Sequence, residues 1–86
     1  MATHNVNVCN NFNASPGDTV NFSNSSGTTC NISQLGTDPW PFTSGPPLKV
    51  PPAGATTLIK SPLAPGTYNY NVDCCPTQTG KCVIVS

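Results

Sequence analysis

The sequence predicts an all-β domain, a small sandwich of about seven short strands reinforced by disulfide bonds. Three observations predict it. Apolar and polar residues alternate in short runs, the mark of half-buried strands, and no window carries a 3.6-residue apolar period. Ten prolines and seven glycines are spread along the chain, which argues against long helices. Five cysteines in 86 residues point to bridges formed in an oxidising compartment.

The strands are read in order. Residues 4–9 place Val6 and Val8 on one face and Asn5 and Asn7 on the other. Residues 18–24 repeat the pattern with Val20 and Phe22, directly after the turn signal Ser15-Pro16-Gly17. Residues 28–35 put Cys30 and Ile32 on one face. Residues 36–47, GTDPWPFTSGPP, are a loop by composition. Residues 48–50 form a brief apolar piece before Pro51-Pro52, and residues 55–60 a further strand. Residues 66–72 set Tyr68, Tyr70 and Val72 against Thr67, Asn69 and Asn71, and residues 80–85 close the series. Seven such segments between turn signals read as an antiparallel sandwich or barrel. Polar outward and apolar inward faces fit two sheets packed face to face.

Residues 1–86 make one domain, with no internal repeat or linker. A chain this short buries only about 60–65% of its unfolded surface, so its core needs reinforcement. Zinc is the rival use of the cysteines, but their spacing offers no C-x2-C pair. Four cysteines can pair and the fifth is a free thiol or a link to another chain.

Charge is scarce: Lys49, Lys60 and Lys81 against Asp18, Asp38 and Asp73, with no Arg or Glu. No basic patch exists for nucleic acid, and no polybasic or amphipathic segment for a membrane surface. A net charge of zero gives little self-repulsion and favours association between copies. No run approaches the ~20 apolar residues of a membrane span. The chain opens with Met1-Ala2 and goes directly into a strand pattern, as a mature secreted, extracellular or periplasmic domain with a new initiator Met would.

GDTVNFSN at residues 17–24, PAGATT at 52–57, and PGTYNY at 65–70 with GKCVIV at 80–85 together resemble the cupredoxins, the plastocyanin-like copper proteins. Pro16-Gly17-Asp18-Thr19-Val20-Asn21-Phe22-Ser23-Asn24 resembles the family's "GDTV-x-aromatic-x-N" strand. Pro52-Ala53-Gly54-Ala55-Thr56-Thr57 resembles its "PAGAT" segment. Ala64-Pro65-Gly66-Thr67-Tyr68-Asn69-Tyr70, followed by Gly80-Lys81-Cys82-Val83-Ile84-Val85, resembles its "PGTY-x-aromatic" strand and final "GK-x-V-x-V" strand. The stretches cover most of the chain in the family's order. The resemblance implies a Greek-key, cupredoxin-like sandwich.

The copper ligands are where the chain departs from that family. A type 1 site needs two His and one Cys, usually with a weak axial Met. One His and one Met are present, both at the extreme N-terminus. Cys30-Asn31-Ile32 stands where the family has its first ligand His, and Val72 where it has its ligand Cys. The segment DCCPTQT, residues 73–79, offers neither His nor Met. Ligand count alone excludes a blue copper centre within one chain, and no metal or other cofactor is expected.

The resemblance also implies that Cys9, Cys30, Cys74, Cys75 and Cys82 gather at the pole where relatives hold copper. Strand parity agrees for Cys30, which shares the face of Ile32, and for Cys74, which shares that of Tyr70 and Val72. An inter-sheet Cys30–Cys74 bridge is the preferred pairing. Cys75–Cys82 would then close the last hairpin and leave Cys9 free, although Cys9 could equally replace one of these partners. The alternative is a cluster of the five thiolates holding copper or zinc, which suit soft ligands.

No catalytic constellation is visible. His4 is the only imidazole, expected to be exposed at a frayed end, and the aspartates are scattered. Trp40 and Phe42, between prolines in the long loop, have two readings. They anchor a partner or a sugar ring, or they cap one end of the core. N-x-[ST] sites at Asn13, Asn21, Asn24 and Asn31 are glycosylation acceptors if the source is eukaryotic. These readings converge on a non-enzymatic extracellular structural or interaction module that contacts its own copies, another protein or a glycan. The alternative is a cysteine-based copper-binding or redox protein.

Overall fold

The computed structural model describes residues 2–75 and 81–86. Residues 76–80, which carry the rest of the DCCPTQT segment and the start of the last predicted strand, lie outside them, as does Met1. Among the described residues are eight strands and no helix. They are β1 (Thr3–Asn7), β2 (Phe12–Ala14), β3 (Thr19–Ser23), β4 (Cys30–Gln34), β5 (Leu48–Val50), β6 (Ala55–Leu58), β7 (Gly66–Val72) and β8 (Lys81–Val85). They build a three-stranded sheet in the order β1-β3-β6 and a five-stranded sheet in the order β2-β8-β7-β4-β5.

Both sheets are mixed, which corrects the antiparallel expectation. β1 runs parallel to β3, and β2 parallel to β8; the other pairs are antiparallel. The cause is local. After β1 the chain turns at Asn10, whose N–H donates to the Asn7 carbonyl at 2.9 Å, and it leaves the first sheet. The next segment, β2, joins the edge of the other sheet. One polar stretch thus supplies an edge strand to each layer. β2 escapes sequence reading because Asn10-Asn11-Phe12-Asn13 contains a single large apolar side chain.

Alternation fixes which face each strand buries. Val6, Val20 and Phe22 point inward from the first sheet, and Cys30, Ile32, Tyr68, Tyr70, Val83 and Val85 from the second. Full burial of each such aliphatic or aromatic side chain contributes roughly 1.5–3 kcal/mol. A one-residue slip of any strand would turn that set to water.

The loop before β5 completes the core. Its residues 41–43 run along the end of β6, with Thr43 N–H donating to Leu58 O and Lys60 N–H to Pro41 O, both at 2.9 Å. This drops Phe42 between the layers. Its ring meets Phe22 of the three-stranded sheet edge-on at 5.6 Å, Tyr70 of the five-stranded sheet at 5.4 Å and Trp40 at 5.3 Å. Opposite, Gly54 leads into β6 with φ +93°, and a Cβ there would lie 2.8 Å from the Phe22 carbonyl oxygen. Only glycine meets both demands.

Candidate functional site

Four sulfurs meet at one end of the sandwich. Cys30 begins β4, and Cys74 follows β7 in the register that pairs Ile32 with Val72. The Cys30–Cys74 bridge, with Cα atoms 5.3 Å apart, therefore links neighbouring strands of one sheet. It is the expected pair, but it lies within a sheet instead of crossing between the two. The crossing falls to Cys9–Cys75, Cα atoms 5.5 Å apart, because Cys9 follows β1 of the three-stranded sheet. Adjacent residues 74 and 75 thus clamp two partners in different directions.

The expected Cys75–Cys82 bridge does not form. In the β7–β8 hairpin Cys82 stands opposite Asn69, six residues before Cys75. Cys82 also shares the outward side of β8 with Ile84, whereas Cys75 is buried. Cys9 takes the place of Cys82 as the partner of Cys75, the alternative left open, and Cys82 is a free thiol opposite Asn69 and not gathered with the other four as the resemblance implied.

The Sγ atoms of Cys9, Cys74 and Cys75 all lie within 4.8 Å of one another. Such proximity would suit a soft metal ion, yet all three sulfurs are engaged in disulfides. Only reduction of both bridges would release thiolates for the copper or zinc alternative. Asp73 buttresses this pole from outside. Its carboxylate accepts the Asn31 backbone N–H and the Asn31 side-chain Nδ2, both at 2.9 Å, and these bonds hold its pKa below the usual carboxylate value.

At the other end of β1 from Cys9, beside the chain start, Asp18 forms a latch that sequence reading missed. Its carboxylate accepts from Ala2 N at 3.0 Å and Ser15 N at 2.9 Å, and pairs with His4 Nε2 at 2.8 Å. His4 therefore lies ordered in β1 and not in a frayed end. The visible signal was Asp18 two residues after Pro16, where a short carboxylate can close a turn on itself. The Ala2 N–H bond, followed by those of His4 and Ser15, lowers the Asp18 pKa from 3.8 to about 2. A folded-state value below the ordinary one means that this stabilisation is complete above about pH 4 and is lost as pH falls towards 2. Asp18→Asn is expected to lower the urea midpoint at neutral pH and to flatten its acid limb, because one amide oxygen cannot serve three donors. A series of urea melts between neutral and strongly acidic pH checks this; an unchanged acid limb would refute it.

Trp40 and Phe42 take the core-capping role of their two readings, at 6% and 0% exposure. Trp40 Nε1 donates to Ser44 O at 2.8 Å, so neither ring presents a face to a partner. Tyr70 is also fully buried, its hydroxyl finds no hydrogen-bond partner among the described residues, and burial raises its pKa. Among the described residues there is no pocket.

Among the described residues two large apolar side chains are exposed, Leu58 on the three-stranded sheet and Ile84 on the outward side of the five-stranded sheet. Ile84 is 47% exposed on β8, the strand next to the β2 edge of that sheet, with Asn13 of β2 on one side and Thr67 of β7 on the other. Two residues earlier on the same side is Cys82, beside Asn69. A free thiol and an exposed branched side chain thus share a patch whose neighbours are uncharged. No protein-family model and no curated protein matches this chain.

Proposed function

We propose that the chain is a non-enzymatic extracellular interaction module on a cupredoxin-like scaffold without a type 1 copper site, and that it associates with copies of itself. The observation that carries the reading is the pairing of exposed Ile84 with free Cys82 on one outward sheet face. Asn13, Thr67 and Asn69 around them carry no charge that would repel a second copy. Two such faces related by a twofold axis would bring equivalent side chains together. The meeting of Cys9, Cys30, Cys74 and Cys75 at one pole supports the cupredoxin-like scaffold. The two closed bridges support an oxidising compartment, where a fifth thiol can bridge chains.

Sedimentation of the unglycosylated chain over a range of concentrations, with parallel non-reducing gels, tests the proposal. The protein is expected to show a reducible dimer. Cys82→Ser should abolish the covalent form and leave a weaker, concentration-dependent one, and Ile84→Asp should abolish both. Because both positions face outward, each substitution is expected to change stability by less than about 1 kcal/mol. A single monomer at every concentration, with no reducible species, would refute self-association.

A further inference from the structure

We infer that Asn13 is the acceptor for an N-linked glycan when the chain passes through a eukaryotic secretory pathway, and that the other three N-x-[ST] asparagines are reserved for the fold. The four differ in what their amide nitrogen already does. Asn24 is 7% exposed, and its Nδ2 donates to Thr28 O at 2.6 Å and Val50 O at 2.8 Å. Both hydrogens are in use, and together they tie residues 24–28 to β5. A sugar on that nitrogen would break one bond and require space that a buried site lacks.

Asn21 lies on β3, flanked by strands on both sides. Its Nδ2 donates to Asn5 Oδ1 at 3.1 Å while its Oδ1 accepts from Thr56 Oγ1 at 2.7 Å. Asn31 lies on β4 between β5 and β7, and its Nδ2 donates to Asp73 Oδ2 at 2.9 Å. Each is one rung of a ladder across a sheet.

Asn13 has none of these duties. It is exposed, it sits on an edge strand that pairs only with β8, and its side chain makes no hydrogen bond among the described residues. The donor would be a lipid-pyrophosphate-linked oligosaccharide. Nδ2 forms a bond to the anomeric carbon, the bond from that carbon to the pyrophosphate oxygen breaks, the lipid pyrophosphate leaves and Nδ2 gives up one proton. At Asn13 that proton is missed by nothing in the folded chain.

Asn13 is also the register partner of Ile84. A glycan at this edge would cover the exposed Ile84 side chain and keep the face from a second copy, a consequence that rests on the self-association proposed above.

The full chain, secreted from a eukaryotic cell, is digested with a peptide glycosidase in heavy-oxygen water, which converts each glycosylated asparagine to labelled aspartate. Label is expected at Asn13 and absent from Asn21, Asn24 and Asn31 in the folded protein. Asn13→Gln should be secreted as folded protein with no glycan. Absence of label at Asn13, or label at any of the other three, would overturn the assignment. Sedimentation before and after enzymatic removal of the glycan reads the covering separately. Dimer appearing only after removal supports it. Continued monomer refutes self-association and leaves the acceptor standing.

Discussion

Reducing both disulfides is expected to unfold the chain at room temperature. The Cys30–Cys74 bridge closes a loop of 44 residues, for which the chain-entropy relation gives about 4 kcal/mol. With that bridge in place, Cys9–Cys75 closes a shorter circuit, 21 residues from Cys9 to Cys30 and one step from Cys74 to Cys75, worth about 3 kcal/mol more. The total, about 7 kcal/mol, matches the whole net stability of many small domains, which lies at roughly 5–15 kcal/mol. Removing either bridge alone should cost about 3 kcal/mol, since the survivor still restrains the same circuit. Each double alanine variant, Cys9→Ala with Cys75→Ala or Cys30→Ala with Cys74→Ala, is therefore expected to stay folded with a lowered midpoint. The second should fall further, because Cys30 packs within the apolar core, whereas Cys75, although buried, lies outside it. Near-ultraviolet circular dichroism and emission from buried Trp40, recorded with and without a phosphine reductant, read the outcome. A native spectrum after complete reduction would show that the core stands without its sulfur clamp.

The parts of the fold that were legible in the sequence are those that depend on one strand at a time. Alternation alone assigns Val20 and Phe22, Cys30 and Ile32, and Tyr68 and Tyr70 to the interior, because side-chain direction repeats every two residues. Partner choice is not local. Nothing in residues 3–7 states that they will run parallel to β3, and the turn that sends the chain to the other layer is built from ordinary Asn residues. The cysteines show the same divide. Parity identified Cys30 and Cys74 as inward-facing, but the partner of Cys75 depended on how far the last hairpin is offset, and Cys82 ends opposite Asn69. The candidate face was hidden for a related reason. Ile84 reads as part of an apolar run, Cys82-Val83-Ile84-Val85, and the sequence does not say that its outward side lacks a cover. The asparagines are most ambiguous of all: Asn13 and Asn24 share a motif, yet one is free and the other ties two segments together.

Phe42→Ala is expected to cost about 3–5 kcal/mol, the range for removing a buried aromatic ring from a core. The argument rests on position. Phe42 is fully buried, comes from a segment with no regular structure of its own, and touches aromatic rings of both sheets. Its edge-on contacts with Phe22, Trp40 and Tyr70 contribute beyond area alone, each on the order of 0.5–1.5 kcal/mol. Truncation would leave a void that the flanking strands cannot close without giving up their registers. Phe42→Leu restores much of the volume without the ring edges, and should recover about half of the loss. Leu58→Ala provides the contrast. Leu58 is a large apolar side chain 43% exposed on β6, and its truncation should cost well under 1 kcal/mol. Urea denaturation followed by tryptophan emission ranks the three variants. Equal midpoints for Phe42→Ala and Leu58→Ala would mean that the aromatic contact between the sheets is not what joins them, and the two layers would then depend on the Cys9–Cys75 crossing and the aliphatic interior alone.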